Sequence, residues 1–171
     1  MRVILSVALV TLVSGVLLAQ TPAATSSRTM VSAADVTAMI AKAKADRKDE
    51  ANISQKMIEL APYNVSLEYR ASVGPAAVHE TEAELFYIVD GSATLVTGGK
   101  LTNEKRTNGE NLTGTGIDGG QSRHVAKGDF VMVPERTPHW FSKIDGTVVL
   151  MSLHLPHSVS DAGLTGKPAG R

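Results

Sequence analysis

Two stretches constrain this chain more than any other feature. "VGPAAVHETEAELFYIVDG", Val73 to Gly91, is followed some way downstream by "KGDFVMVPERTPHWF", Lys127 to Phe141. Each is a polar or small-residue lead-in feeding an alternating run. Glu84, Phe86 and Ile88 fall on one face of a period-2 strand, and Leu85, Tyr87 and Val89 on the other. Asp90-Gly91 carries the turn signal of a hairpin, with "SATLVT" as the expected returning strand. Between them the stretches hold His79, Glu84 and His139, which can close on one point. Neutral imidazoles with a carboxylate suit Fe, Mn, Ni, Cu or Zn, and two histidines with one carboxylate suit non-haem Fe(II).

These residues resemble the paired motifs of the cupin family. The first motif places two histidines one residue apart, then a glutamate, then six residues and a glycine; Glu84 and Gly91 match its second half. In the preferred register His79 takes the place of the second histidine, and the first falls on Ala77, which cannot ligate. The other register makes His79 the first histidine and Thr81 the second, leaving only two residues before Glu84. Downstream, Gly128, Pro134 and His139 match the second motif, while Arg136 replaces its glycine and Lys143 its asparagine. The resemblance spans roughly Ser54 to His157. It implies an all-β, double-stranded β-helix (jelly-roll) barrel holding a divalent metal ion through His79, Glu84 and His139. It also implies either a metal-dependent oxygenase, lyase or isomerase acting on a small polar molecule, or a barrel that binds a small ligand without turnover. A structural dimeric barrel without metal is the remaining reading.

The N-terminal "MRVILSVALVTLVSGVLLAQTPAA" has Arg2, an apolar run from Val3 to Leu18 and then small and polar residues. The run is short for a membrane span and lacks a charged stop-transfer flank, so residues 1–24 are expected to be a cleaved secretory signal, with an uncleaved anchor as the rival. The expected location is therefore secreted or periplasmic. No cysteine is present, which removes both a lipid-anchored lipoprotein and any disulfide. The 17 basic and 17 acidic residues balance; no basic stripe argues for nucleic acid, and nothing cationic and amphipathic argues for a membrane surface after cleavage.

Residues 25–52 are expected to form a leader and one helix, "SAADVTAMIAKAKADRK". Ser32 caps it, Asp35 completes a capping box, and Val36, Met39, Ile40 and Ala43 make an apolar stripe for the outside of the barrel or a partner subunit. Residues 53–157 then read as the barrel. Within it, Gly98 to Gly120 is rich in Gly, Asn and Thr and is expected to be a long loop or loose hairpin, either a lid or an excursion without a role. Ser158 to Arg171 is expected to be a disordered tail.

His154 lies in phase with Leu150 and Ser152; it is expected to stand behind the ligands or at the surface, and if that face is interior it can supply the ligand missing at Ala77. His124 and His157 are expected to be exposed. Glu80 and Glu82 are solvated edge carboxylates or a general base, and of Trp140 and Phe141 one lines the cavity while the other packs outside. The amphipathic helix and the strand edges needing cover lead to the expectation of a homodimer.

Overall fold

The computed structural model describes residues 28–157. The expected signal segment and C-terminal tail lie outside the described residues. Helix α1 (Ala33–Asp46) begins as the sequence predicts: the Ser32 hydroxyl accepts from the Asp35 N–H at 3.1 Å, and Asp35 Oδ2 accepts the Ser32 N–H at 3.0 Å. Two of the donors that a helix start leaves unpaired are satisfied reciprocally. The stripe Val36, Met39, Ile40 and Ala43 packs on Met57, Leu67 and Tyr69, so α1 covers the outside of the barrel.

Among the described residues eleven strands follow α1: β1 (Ile53–Leu60), β2 (Tyr63–Arg70), β3 (Ala76–His79), β4 (Glu82–Thr97), β5 (Lys100–Thr102), β6 (Lys105–Arg106), β7 (Asn111–Gly114), β8 (Gly116–Asp118), β9 (Gln121–Ala126), β10 (Phe130–Val133) and β11 (His139–Pro156). The two long strands, β4 and β11, pair antiparallel from end to end, from His139 opposite Thr97 to Pro156 opposite Glu82. Their outer halves are extended differently. Around one half, β2 joins β11 and β10 joins β4, with β1 beyond β2. Around the other half, β9 joins β4, and β3, β7 and β6 continue from His139 of β11. Two faces thus share one bent ribbon and close on a common interior, which is a double-stranded β-helix, or jelly roll.

The bend corrects the hairpin expected at Asp90-Gly91. The chain keeps its direction there, because residues 92–97 find their partners on β9 and β11 and not on the residues just before them. Gly91 makes a corner between faces: its φ is 75°, and a Cβ would stand 2.0 Å from the Thr147 carbonyl oxygen. Only glycine tolerates both constraints. The alternation itself holds. Glu84, Phe86 and Ile88 are buried, and Phe86 and Ile88 form the inner core with Leu95, Phe141 and Leu150.

The segment 98–120 is more ordered than a long loop or loose hairpin, since it carries four short strands. β5 and β8 form a small hairpin, while β7 pairs with β3 from Ala76–Gly114 to His79–Asn111. These strands lack alternating apolar residues because they are only partly covered, so no period-2 signal marks them.

Candidate metal centre

The interior of the jelly roll brings four motif or near-motif side chains together around Glu84. His79 ends β3, Glu84 lies near the start of β4, and His139 opens β11. His154, near the other end of β11, stands opposite Glu84 in the strand register, so both project from the same face. Leu150 and Ser152, in phase with His154, are buried, which makes that face interior.

Glu84 is 4% exposed. Its Oε2 lies 3.1 Å from His139 Nε2 and 3.3 Å from His79 Nε2, and its Oε1 lies 3.4 Å from His154 Nε2. The Ser152 hydroxyl donates to Oε1 at 2.5 Å. His79, Glu84 and His154 offer atoms that all lie within 4.8 Å of one another. His139 is not one of that group of three; it reaches Glu84 at the other carboxylate oxygen from His154.

Each imidazole is held from behind. His79 Nδ1 lies 2.6 Å from Asn111 Oδ1, His139 Nδ1 lies 3.1 Å from the Thr137 carbonyl oxygen, and His154 Nδ1 lies 2.7 Å from Glu82 Oε1. All three partners are acceptors, so each Nδ1 carries the hydrogen and donates it. The three Nε2 atoms then present lone pairs toward a carboxylate. Lone pairs facing an anion repel unless a proton or a cation stands between them, so this donor set fits a positive ion.

Without an ion, a proton on His79 fills the same place. Burial alone would raise the Glu84 pKa, but the contacts from His139 and His79, with the Ser152 hydroxyl, outweigh it and hold the carboxyl far below its ordinary range. For His79, burial works against the charged ring, yet Glu84 and then Asn111 prevail and raise its pKa.

The other sequence candidates fall elsewhere. Glu80 is bound by Arg106, whose Nη1 and Nη2 lie 2.6 and 3.1 Å from its two carboxylate oxygens. Glu82 is neither a solvated edge group nor aimed at open space, because it backs His154. His124 and His157 are exposed at the surface, with His157 Nδ1 3.3 Å from Glu135. Phe141 packs inside on Phe86, ring centroids 5.3 Å apart, while the Trp140 indole N–H donates to the Gly74 carbonyl at 2.9 Å. Arg136, where the second motif has glycine, adopts φ 58°, so the position keeps the left-handed backbone that glycine would take freely. Its N–H donates to the His79 carbonyl at 2.7 Å, tying the two motifs together.

Sequence reasoning missed the roles of Ser152 and Asn111. Ser152 was in phase with His154, and that phase was the available signal. No local pattern distinguishes Asn111 within "TNGENLTG".

A bent ribbon of two long strands closed into a barrel, with the residues of both motifs at its centre, gives this chain the double-stranded β-helix fold that its sequence resemblance implies. No family model matches the sequence, and no curated protein matches it. Several solved structures are similar in chain trace. The structure of KdgF from Halomonas sp. is 14% identical, covering 66% of this chain and 86% of that one with a TM-score of 0.48. A cupin superfamily protein from Desulfitobacterium hafniense is 14% identical, covering 64% and 82% with a TM-score of 0.46. An iron(II) form of HppE is 13% identical, covering 61% of this chain and half of that chain, with a TM-score of 0.46.

Proposed function

We propose that this protein is a secreted or periplasmic cupin that binds one divalent metal ion inside its barrel and presents it to a small polar molecule. The observation that carries the reading is the convergence of three Nε2 atoms on the buried Glu84 carboxylate, each ring anchored through Nδ1. His79, Glu84 and His139 are the ligands the motifs supply. His154 adds a fourth donor and makes good the one absent at Ala77. Imidazole and carboxylate together suit Fe, Mn, Ni, Cu or Zn.

His79, Glu84, His139 and His154 would hold such an ion, which would supply Lewis-acid chemistry toward an oxygen of the small molecule. The chain's own groups do the rest. Asn111, Thr137 and Glu82 orient the rings, and Ser152 fixes Glu84 by donating to Oε1. Strand backbones hold these side chains more rigidly than loops would. The secretory location rests on the N-terminal sequence. A second copy of the chain is the proposed partner: β10 pairs only with β4 among the described residues, and it turns Phe130 and Met132, 69% and 51% exposed, outward at a sheet edge.

Thermal melts of chelator-treated protein with added Fe(II), Mn(II), Ni(II) or Zn(II) test the reading. Binding to the folded barrel raises the midpoint by about 2.7 kcal/mol of stability at a hundredfold excess over Kd. A midpoint that none of these ions moves contradicts it.

A further inference from the structure

Segment 98–120 leaves and re-enters the barrel through two glycine pairs. Gly98-Gly99 follows β4 and Gly119-Gly120 precedes β9, all four with φ between 74° and 82°. A Cβ on Gly99 would stand 2.4 Å from the Asp118 carbonyl oxygen, so the two linkers run in backbone contact that side chains would prevent. Beyond this neck the chain folds back along β3. Asn111 lands opposite His79 in register. The Glu110 carbonyl accepts the Glu80 N–H at 2.9 Å, and Arg106 clamps the Glu80 carboxylate. The segment therefore grips the end of β3 at three points, and the innermost is the 2.6 Å contact between Asn111 Oδ1 and His79 Nδ1.

The three rings differ in where their support comes from. The acceptor behind His139 is the carbonyl of Thr137, two residues away in the same motif. The acceptor behind His154 is Glu82, inside the first motif. His79 alone relies on a residue from outside both motifs. Which nitrogen of a neutral imidazole carries the hydrogen is set by the hydrogen bond the other nitrogen makes. Without Asn111 the nearest other acceptor to Nδ1, Glu82 Oε1 at 3.8 Å, is beyond hydrogen-bond reach and held by His154, so His79 is free to place its hydrogen on Nε2, where it donates to Glu84 and no longer offers a lone pair.

We propose that Asn111 is the positioning residue for His79, holding it in the Nδ1–H form, so that the inserted segment is an integral part of the metal centre. This rests on the metal-binding reading. By linkage, an ion at the centre favours the docked segment to the same degree that docking favours the ion.

The test compares the protein with its Asn111→Ala and Asn111→Asp variants. Each is labelled with ¹⁵N in histidine, and the His79 ring nitrogens are read by NMR in the metal-free state at alkaline pH, where the ring is neutral. Calorimetric titration with Zn(II) and Mn(II) follows on the same samples. The expected result is a His79 Nδ1–H signature in the parent, a shift toward Nε2–H in Asn111→Ala, and a roughly 10–100-fold loss of metal affinity in that variant. Asn111→Asp presents an acceptor in the same place and retains both properties. An unchanged tautomer in Asn111→Ala, or affinity within about twofold of the parent, overturns the inference, as does an Asn111→Asp variant that fails as badly as alanine. A parent that binds neither metal overturns the metal reading instead. The ring-nitrogen signals of the metal-free proteins still decide whether Asn111 holds His79.

Discussion

Replacing Ser152 by alanine removes one oxygen atom from the interior and leaves the packing almost untouched. Ser152 is 1% exposed, and its hydroxyl donates to Glu84 Oε1 at 2.5 Å, so the lost bond is buried and charge-assisted. Removing a hydrogen bond to a charged group costs about 1.5–3 kcal/mol, and Oε1, left with His154 Nε2 at 3.4 Å, cannot recruit bulk water at 4% exposure. For a domain of this size each kcal/mol moves the midpoint by about 3–5 °C, so Ser152→Ala lowers Tm by roughly 5–15 °C in metal-free protein. Differential scanning calorimetry in the presence of EDTA measures it. Ser142→Ala is the control on the same strand: that hydroxyl reaches only the Thr94 carbonyl at 3.4 Å, and its loss shifts stability by less than about 0.5 kcal/mol. Equal midpoints for Ser152→Ala and Ser142→Ala would refute the claim that Ser152 supports a buried, ionised Glu84.

Other outcomes follow from the same geometry. Phe86→Ala empties the centre of the core, where Phe86 is 1% exposed and touches both Phe141 and the His139 ring at a centroid distance of 5.9 Å; urea denaturation should show a loss of about 3–5 kcal/mol with an unchanged slope. Gly91→Ala meets a carbonyl oxygen at 2.0 Å and costs more than about 3 kcal/mol, whereas Gly128→Ala, at φ 95° with nothing within 4 Å of the new Cβ, costs about 1–2 kcal/mol; similar midpoints for the two would remove the corner assignment. Stability of the metal-free protein has a maximum in pH. Glu84 has a depressed pKa, so its contribution is complete above the ordinary 4.5 and is lost as pH falls through the depressed value. His79 has a raised pKa, so its contribution is complete below the ordinary 6.5 and is lost as pH rises through the raised value. Melts in EDTA should therefore peak between about pH 4.5 and 6.5, and bound metal should abolish the decline on the alkaline side because it takes the place of the proton.

The parts of this architecture that could be read in the sequence are those where one local pattern has one physical outcome. Ser32 and Asp35 satisfy each other within one helical turn, so the helix start is visible in four residues. Alternation from Glu84 to Ile88 reports a strand with one buried face, because a one-residue slip would expose Phe86. The same logic made His154 conditional on the burial of Leu150 and Ser152, and that condition is met. Asp90-Gly91 was misleading because a hairpin and a corner between sheets both ask for a left-handed glycine. The choice lies with partners on β9 and β11, far along the chain. Strands β5 to β8 are too short and too exposed to show a period. The contacts that orient the site join residues 32, 68 and 72 positions apart, Asn111 with His79, Ser152 with Glu84 and Glu82 with His154, and no short-range pattern encodes them.

Elemental analysis of the chain from Thr25 to Arg171, purified without a histidine tag or chelator, tests the metal centre most directly, with His79→Ala, His139→Ala and His154→Ala prepared alongside. The geometry around Glu84 predicts near-stoichiometric divalent metal in the parent and its loss or marked reduction in all three variants. A parent that stays metal-free after reconstitution with Fe(II), Mn(II), Ni(II) and Zn(II), or variants that retain the parent's full metal content, would contradict it.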